Sequence, residues 1–96
     1  MPAVTRVGDM DVSHCSGMTR AVGSPNTFAN GKPVSRQGDI NTGHMQTAAV
    51  CFGHTAPIAK GSSTVFVNGK GCGRVGDEVA GCTAVAEGSP NTFAGG

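Results

Sequence analysis

The stretch Gly23 to His44, GSPNTFANGKPVSRQGDINTGH, returns without a gap as Gly61 to Cys82, GSSTVFVNGKGCGRVGDEVAGC. A partial copy, RVGDMDVSH, occupies 6–14, and another, GSPNTFAGG, occupies 88–96. Joined end to end, the two partial copies make a third unit. A chain built this way must fold into something that accepts the same piece three times. The expectation is a pseudo-threefold body within a single domain spanning 1–96, with modules 23–44, 61–82, and 88–96 completed by 6–14. Each module ends on a residue with metal-ligand chemistry: His14, His44 and Cys82.

Composition limits what can hold such a body together. The chain has 96 residues with no Trp, no Tyr, four Phe and sixteen Gly, so no large apolar core is available. Domains this small need a staple such as a metal or disulfides. Lys plus Arg number seven against six Asp plus Glu, a balance that argues against nucleic acid and anionic membranes as partners. The N-terminal stretch has no apolar run of signal-peptide length, which predicts synthesis in the cytoplasm without a leader. No segment approaches the roughly 20 apolar residues of a membrane span. The four cysteines could form two disulfides, but without export signals and beside three histidines they fit metal chemistry better.

Asn30-Gly31 and Asn68-Gly69 are two-residue turn signals, since both positions of a type I′ turn need positive φ. The flanking runs 24–29 and 32–37 are of strand length, and Thr64 to Val67 is rich in strand formers. No segment carries a helical apolar period. The predicted fold is therefore all-β: a small pseudo-threefold body of three β-hairpin repeats with a metal on its axis. Gly8-Asp9, Gly38-Asp39 and Gly76-Asp77 mark sharp turns. Phe28, Phe66 and Phe93 fall on one repeat position and are expected to pack in the core or between modules; an aromatic binding platform is the weaker alternative, since no Arg or Lys cluster accompanies them. Arg6, Arg36 and Arg74 also recur, which predicts a structural role, paired with a neighbouring Asp or a carbonyl.

Three ligands around a threefold axis leave a tetrahedral ion one open position, on the axis. A residue outside the repeat must fill it, and the long linker after His44 carries His54. The set His14, His44, His54 and Cys82 offers three imidazoles and one thiolate, which suits closed, structural zinc, with iron as the alternative. Dispersed ligands would also cross-link a chain with little core. Cys15 could replace His54 or compete for the metal. Cys51 and Cys72 read as small buried residues, and Cys72 aligns with Val34.

With these features the chain resembles the PAAR-repeat family over essentially its whole length. The resemblance rests on the strand-NG-strand unit, on Arg-x-Gly-Asp at 6–9, 36–39 and 74–77, and on the ligand positions. The Pro-Ala-Ala-Arg signature is degenerate here: Ala3-Val4-Thr5-Arg6, Pro33-Val34-Ser35-Arg36 and Gly71-Cys72-Gly73-Arg74. The resemblance implies a small β cone that sharpens a trimeric spike, in contractile phage tails and type VI secretion systems, with a zinc near the apex held by three His and one Cys.

The function expected on this basis is a structural, non-enzymatic membrane-piercing tip. The chain, a monomer by itself, would cap a homotrimeric β-helical spike, one tip per trimer, and meet the target envelope transiently. It would sit at a virion tail tip or leave through a type VI system, the GSPNTF repeats favouring phage. Two other classes compete. A zinc hydrolase would use an open metal position with His54 or Asp39 as base, or Cys15 as nucleophile beside His14. A free-standing, lectin-like binding module would want the Trp and Tyr that are missing.

Overall fold

The computed structural model describes residues 1–13, 17–46 and 52–96, with 44–46 and 52–54 described by backbone alone. Among these residues there is no helix, and the fold is all-β. Short strands pair antiparallel: β1 (Phe28–Ala29) with β2 (Lys32–Pro33), β3 (His44–Gln46) with β4 (Phe52–His54), β5 (Phe66–Val67) with β6 (Lys70–Gly71), and β7 (Glu78–Val79) with β8 (Thr83–Ala84). β1–β2 and β5–β6 are the two Asn-Gly hairpins. Asn30 and Asn68 stand at φ 55° and 54°, and Gly31 and Gly69 both at 76°, the left-handed pair a type I′ turn demands.

The hairpin strands are much shorter than the expected 24–29 and 32–37. Beyond the first residues of each hairpin, the second arm bonds to a different module. Arg6 bridges Val34, Arg36 bridges Cys72, and Val4 bridges Arg74. The Val7 amide donates to the Pro33 carbonyl at 2.9 Å, Gln37 to Gly71 at 2.8 Å, and Val75 to Ala3 at 2.9 Å. Thr5 N–H donates to Gly73 at 3.0 Å, Gly73 to Ser35 at 2.9 Å, and Ser35 back to Thr5 at 3.0 Å. Such a closed ring of three can only encircle the pseudo-threefold axis.

The chain ends build the third unit. The Val34 amide donates to Thr27 at 3.0 Å and Cys72 to Val65 at 2.9 Å; the matching bond joins Val4 to Thr92 at 2.9 Å. The N-terminal strand thus serves as the second arm for the final GSPNTF copy. Each copy opens on a glycine because backbones touch there: a Cβ on Gly61 would lie 2.4 Å from the Gly71 carbonyl oxygen.

One core cluster holds two residues from each module: Val4 with Ala94, Val34 with Ala29, and Cys72 with Val67. Cys72 is buried, as its alignment with Val34 predicts, and burial pushes its thiol pKa up. Cys72→Val should therefore change unfolding free energy by less than about 1.5 kcal/mol, the range of volume-conserving apolar swaps. Urea titration reads this; a larger loss would mean the thiol makes an interaction that Val4 and Val34 do not.

Beyond the Gly-Asp turns the three linkers, unlike in sequence, return in one register. Gly8, Gly38 and Gly76, at φ 93°, 88° and 92°, donate to the carbonyls of Arg20, Ile58 and Val85 at 2.9, 2.9 and 2.8 Å. Residues 18–21, 56–59 and 83–86 are thus equivalent return segments. The whole is elongated, 38 × 24 × 21 Å.

Candidate functional site

Three ion pairs fix the modules. In each, one aspartate oxygen accepts both the main-chain N–H and Nε of an arginine, and the other oxygen accepts from Nη2. Arg6–Asp9 has side-chain distances of 2.8 and 2.9 Å, Arg36–Asp39 2.8 and 3.1 Å, and Arg74–Asp77 3.2 and 2.9 Å. Each Nη1 then reaches a hairpin turn, at Asn30 Oδ1 (3.0 Å), Asn68 Oδ1 (3.0 Å) or the Gly95 carbonyl (3.1 Å). A backbone carbonyl replaces the asparagine in the third unit, where Gly95-Gly96 stands for Asn-Gly. The hydrogen bond that each arginine donates to its aspartate is the main cause that raises the arginine's pKa. The recurring Arg and Asp are a structural clamp, as the repeat predicts. Both Asp39 oxygens are engaged by Arg36.

His14, Cys15 and Cys51 lie outside the described residues. His44 and His54 are direct register partners across β3 and β4; β-carbons of such partners in general stand about 5 Å apart. Cys82 closes the β7–β8 turn, its N–H donating to the Val79 carbonyl at 2.9 Å, with Gly81 at φ 62°. It packs against Ala56, Ile58, Val79 and Val85. Burial and then Asp11 push its thiol pKa up, while Arg20 and a hydrogen bond with Asn41 pull it down. Among the described residues no three His, Cys, Asp or Glu side chains gather as a metal set; three of the four expected ligands have side chains outside that description.

Beside Cys82 is a polar network that the sequence reading did not find. Asp11 and Arg20, both with 0% side-chain exposure, pair at 2.9 Å through Oδ2 and Nη2. Arg20 Nη1 donates to the Asp39 carbonyl at 3.2 Å. Asn41 Nδ2 donates to Asp11 Oδ2 at 3.0 Å and to Met18 Sδ at 3.4 Å, and Asn41 Oδ1 accepts from the Ala56 amide at 2.9 Å. Burial lowers the Arg20 pKa against the opposing pull of Asp11. The signal was present in the alignment: Asp11, Asn41 and Val79 stand two residues after each Gly-Asp aspartate.

The hairpins correct an expectation. Phe28, Phe66 and Phe93 do not pack inside; they are 56%, 59% and 49% exposed. The alternation of a strand explains it. Ala29, Val67 and Ala94 turn inward where three modules converge, and only small side chains fit there. The preceding phenylalanines therefore face out, giving three equivalent aromatic rings around the axis.

A family model for the PAAR motif matches residues 50–96. This chain is a PAAR-repeat protein. The matched half holds one full module and the GSPNTF arm of another, and the rings of hydrogen bonds carry the same unit through the remainder. No curated protein matches the sequence. Membership makes the chain a spike-tip protein of the contractile-injection type, from a structural family. Among the described residues no helix is long and apolar enough to cross a membrane.

Proposed function

We propose that this PAAR-repeat protein is a non-enzymatic piercing tip that caps a homotrimeric spike, one tip per trimer. The observation that carries the reading is the ring of exposed phenylalanines, Phe28, Phe66 and Phe93, on matching positions of three modules. A monomer with pseudo-threefold symmetry can offer similar contacts to three identical subunits on a shared axis. Apolar rings exposed this far are costly unless a partner covers them. The likeness of the GSPNTF repeats favours a phage tail over a type VI system.

His14, His44, His54 and Cys82 hold zinc, with iron as competitor. The donor chemistry suits closed tetrahedral zinc, and two observations support the fit: the His44–His54 register and the seat of Cys82 on a buried cluster. When bound, the ion supplies no chemistry beyond tying distant parts of the chain together.

The tip reading is tested with the homotrimeric spike encoded in the same genome. Light scattering should give one tip per trimer, with little salt dependence because the contact is apolar. Replacing all three phenylalanines by alanine should leave the fold intact and weaken binding more than 100-fold, taking about 2 kcal/mol for each buried aromatic anchor. Three tips per trimer, or undiminished binding by the triple variant, would sink the reading.

A further inference from the structure

The bonds that join modules do not distinguish one module from another. Val7 to Pro33, Gln37 to Gly71 and Val75 to Ala3 are one contact made three times, and the ring through Thr5, Ser35 and Gly73 closes on equivalent residues. A module set in the wrong place around the axis, or offered by a second copy of the chain, would make these bonds equally well. Misassembly of this kind is a characteristic hazard of repeated units.

One buried layer breaks the equivalence. Asp11, Asn41 and Val79 hold one repeat position, and Arg20, Ile58 and Val85 another; all six are at most 2% exposed. Bridges pair them across neighbouring segments as Arg20 with Asn41, Ile58 with Val79, and Asp11 with Val85. Valine and isoleucine fill the matching places, so packing does not require polar side chains there. Asp11 Oδ2 nevertheless accepts from Arg20 Nη2 at 2.9 Å and from Asn41 Nδ2 at 3.0 Å. Asn41 also donates to Met18 Sδ at 3.4 Å and accepts from the Ala56 amide at 2.9 Å. Among the described residues, Asp11 Oδ1 and Arg20 Nε are buried without a hydrogen-bond partner, a cost that an apolar layer would avoid.

We propose that Asp11, Arg20 and Asn41 form a registration device that fixes which module stands beside which around the axis. The trio occurs once in the chain, so only one order of modules completes it. With Val79 in the place of Asn41, Asp11 would lose a donor. Asn41, displaced against Val85, would be buried without its carboxylate, and stranded polar groups of this kind are expensive. Setting register at a cost in stability is the best-attested use of buried polar groups.

The test compares the native chain with two variants. The first is apolar: Asp11→Val, Arg20→Ile and Asn41→Val. The second moves the trio one module on: Asn41→Asp, Ile58→Arg and Val79→Asn, with Asp11→Val and Arg20→Ile. Each is refolded from urea at high chain concentration. Light scattering reads the number of chains per particle. The amide spectrum reads the number of arrangements through Gly8, Gly38 and Gly76, whose N–H groups meet the three return segments. The native protein should refold as single chains with one signal for each of these glycines. The apolar variant should fold yet show more than one signal for each, with part of it in assemblies of several chains. Moving the trio should restore single chains and single signals. An apolar variant that refolds only as single chains with single signals would overturn the inference, since the modules then find their places without the trio. So would several signals from the native protein, or a moved trio that does not restore order. An apolar variant that does not fold would overturn it too, because the matching positions would then not be interchangeable.

Discussion

Chelation is expected to lower the melting temperature of this protein by roughly 15–30 °C. Among the described residues, the core clusters hold alanine, valine, isoleucine and cysteine, so apolar burial there is modest. Structural zinc in small domains has apparent binding free energies of about 10–16 kcal/mol. If only about 4 kcal/mol of that reaches folding stability, a domain of this size shifts by about 4–8 °C for each kcal/mol. The proposed ligands, His14, His44, His54 and Cys82, span most of the chain, so the ion would restrain the unfolded ensemble as well as the apex. The opposing term is the set of hydrogen-bond rings that lock the modules without any metal. Calorimetry with and without chelator decides between them, alongside elemental analysis expected to find about one zinc per chain. An apo-protein melting within a few degrees of the loaded form would mean that the rings suffice and the metal is incidental.

What could be read from the sequence follows from what repetition constrains. Arg6, Arg36 and Arg74 recur with Asp9, Asp39 and Asp77 at constant spacing, and a motif repeated three times in one chain must make the same local contact each time. The clamp and the Asn-Gly turns were legible for that reason, and so was the burial of Cys72 from its alignment with Val34. Phe28, Phe66 and Phe93 misled because general burial preference assumes a core with room for a ring. Near a threefold axis only alanine- and valine-sized side chains fit, so the larger member of each strand pair faces out. The return segments 18–21, 56–59 and 83–86 were hidden because their pairing is main-chain to main-chain, which leaves little trace in side-chain identity. Of the buried network, Asp11 and Asn41 could be set against Val79 from the repeat, but Arg20 becomes comparable with Ile58 and Val85 only once those segments are known to be equivalent.

Arg20→Ala is the other change with a large expected effect, a loss of about 3–5 kcal/mol measured by urea unfolding. The guanidinium and the Asp11 carboxylate are both fully buried, and removing one charge strands the other where water cannot reach it. Against a total stability of about 5–15 kcal/mol, that loss brings the fold to the edge of unfolding. Replacing the network as a whole should have the opposite sign. Asp11→Val, Arg20→Ile and Asn41→Val together copy side chains already present at the matching positions 79 and 58, and such exchanges of buried ion pairs run from neutral to about 1–4 kcal/mol stabilising. If Arg20→Ala costs less than about 1 kcal/mol, the range of solvent-exposed pairs, then water reaches the pair and the argument from burial fails.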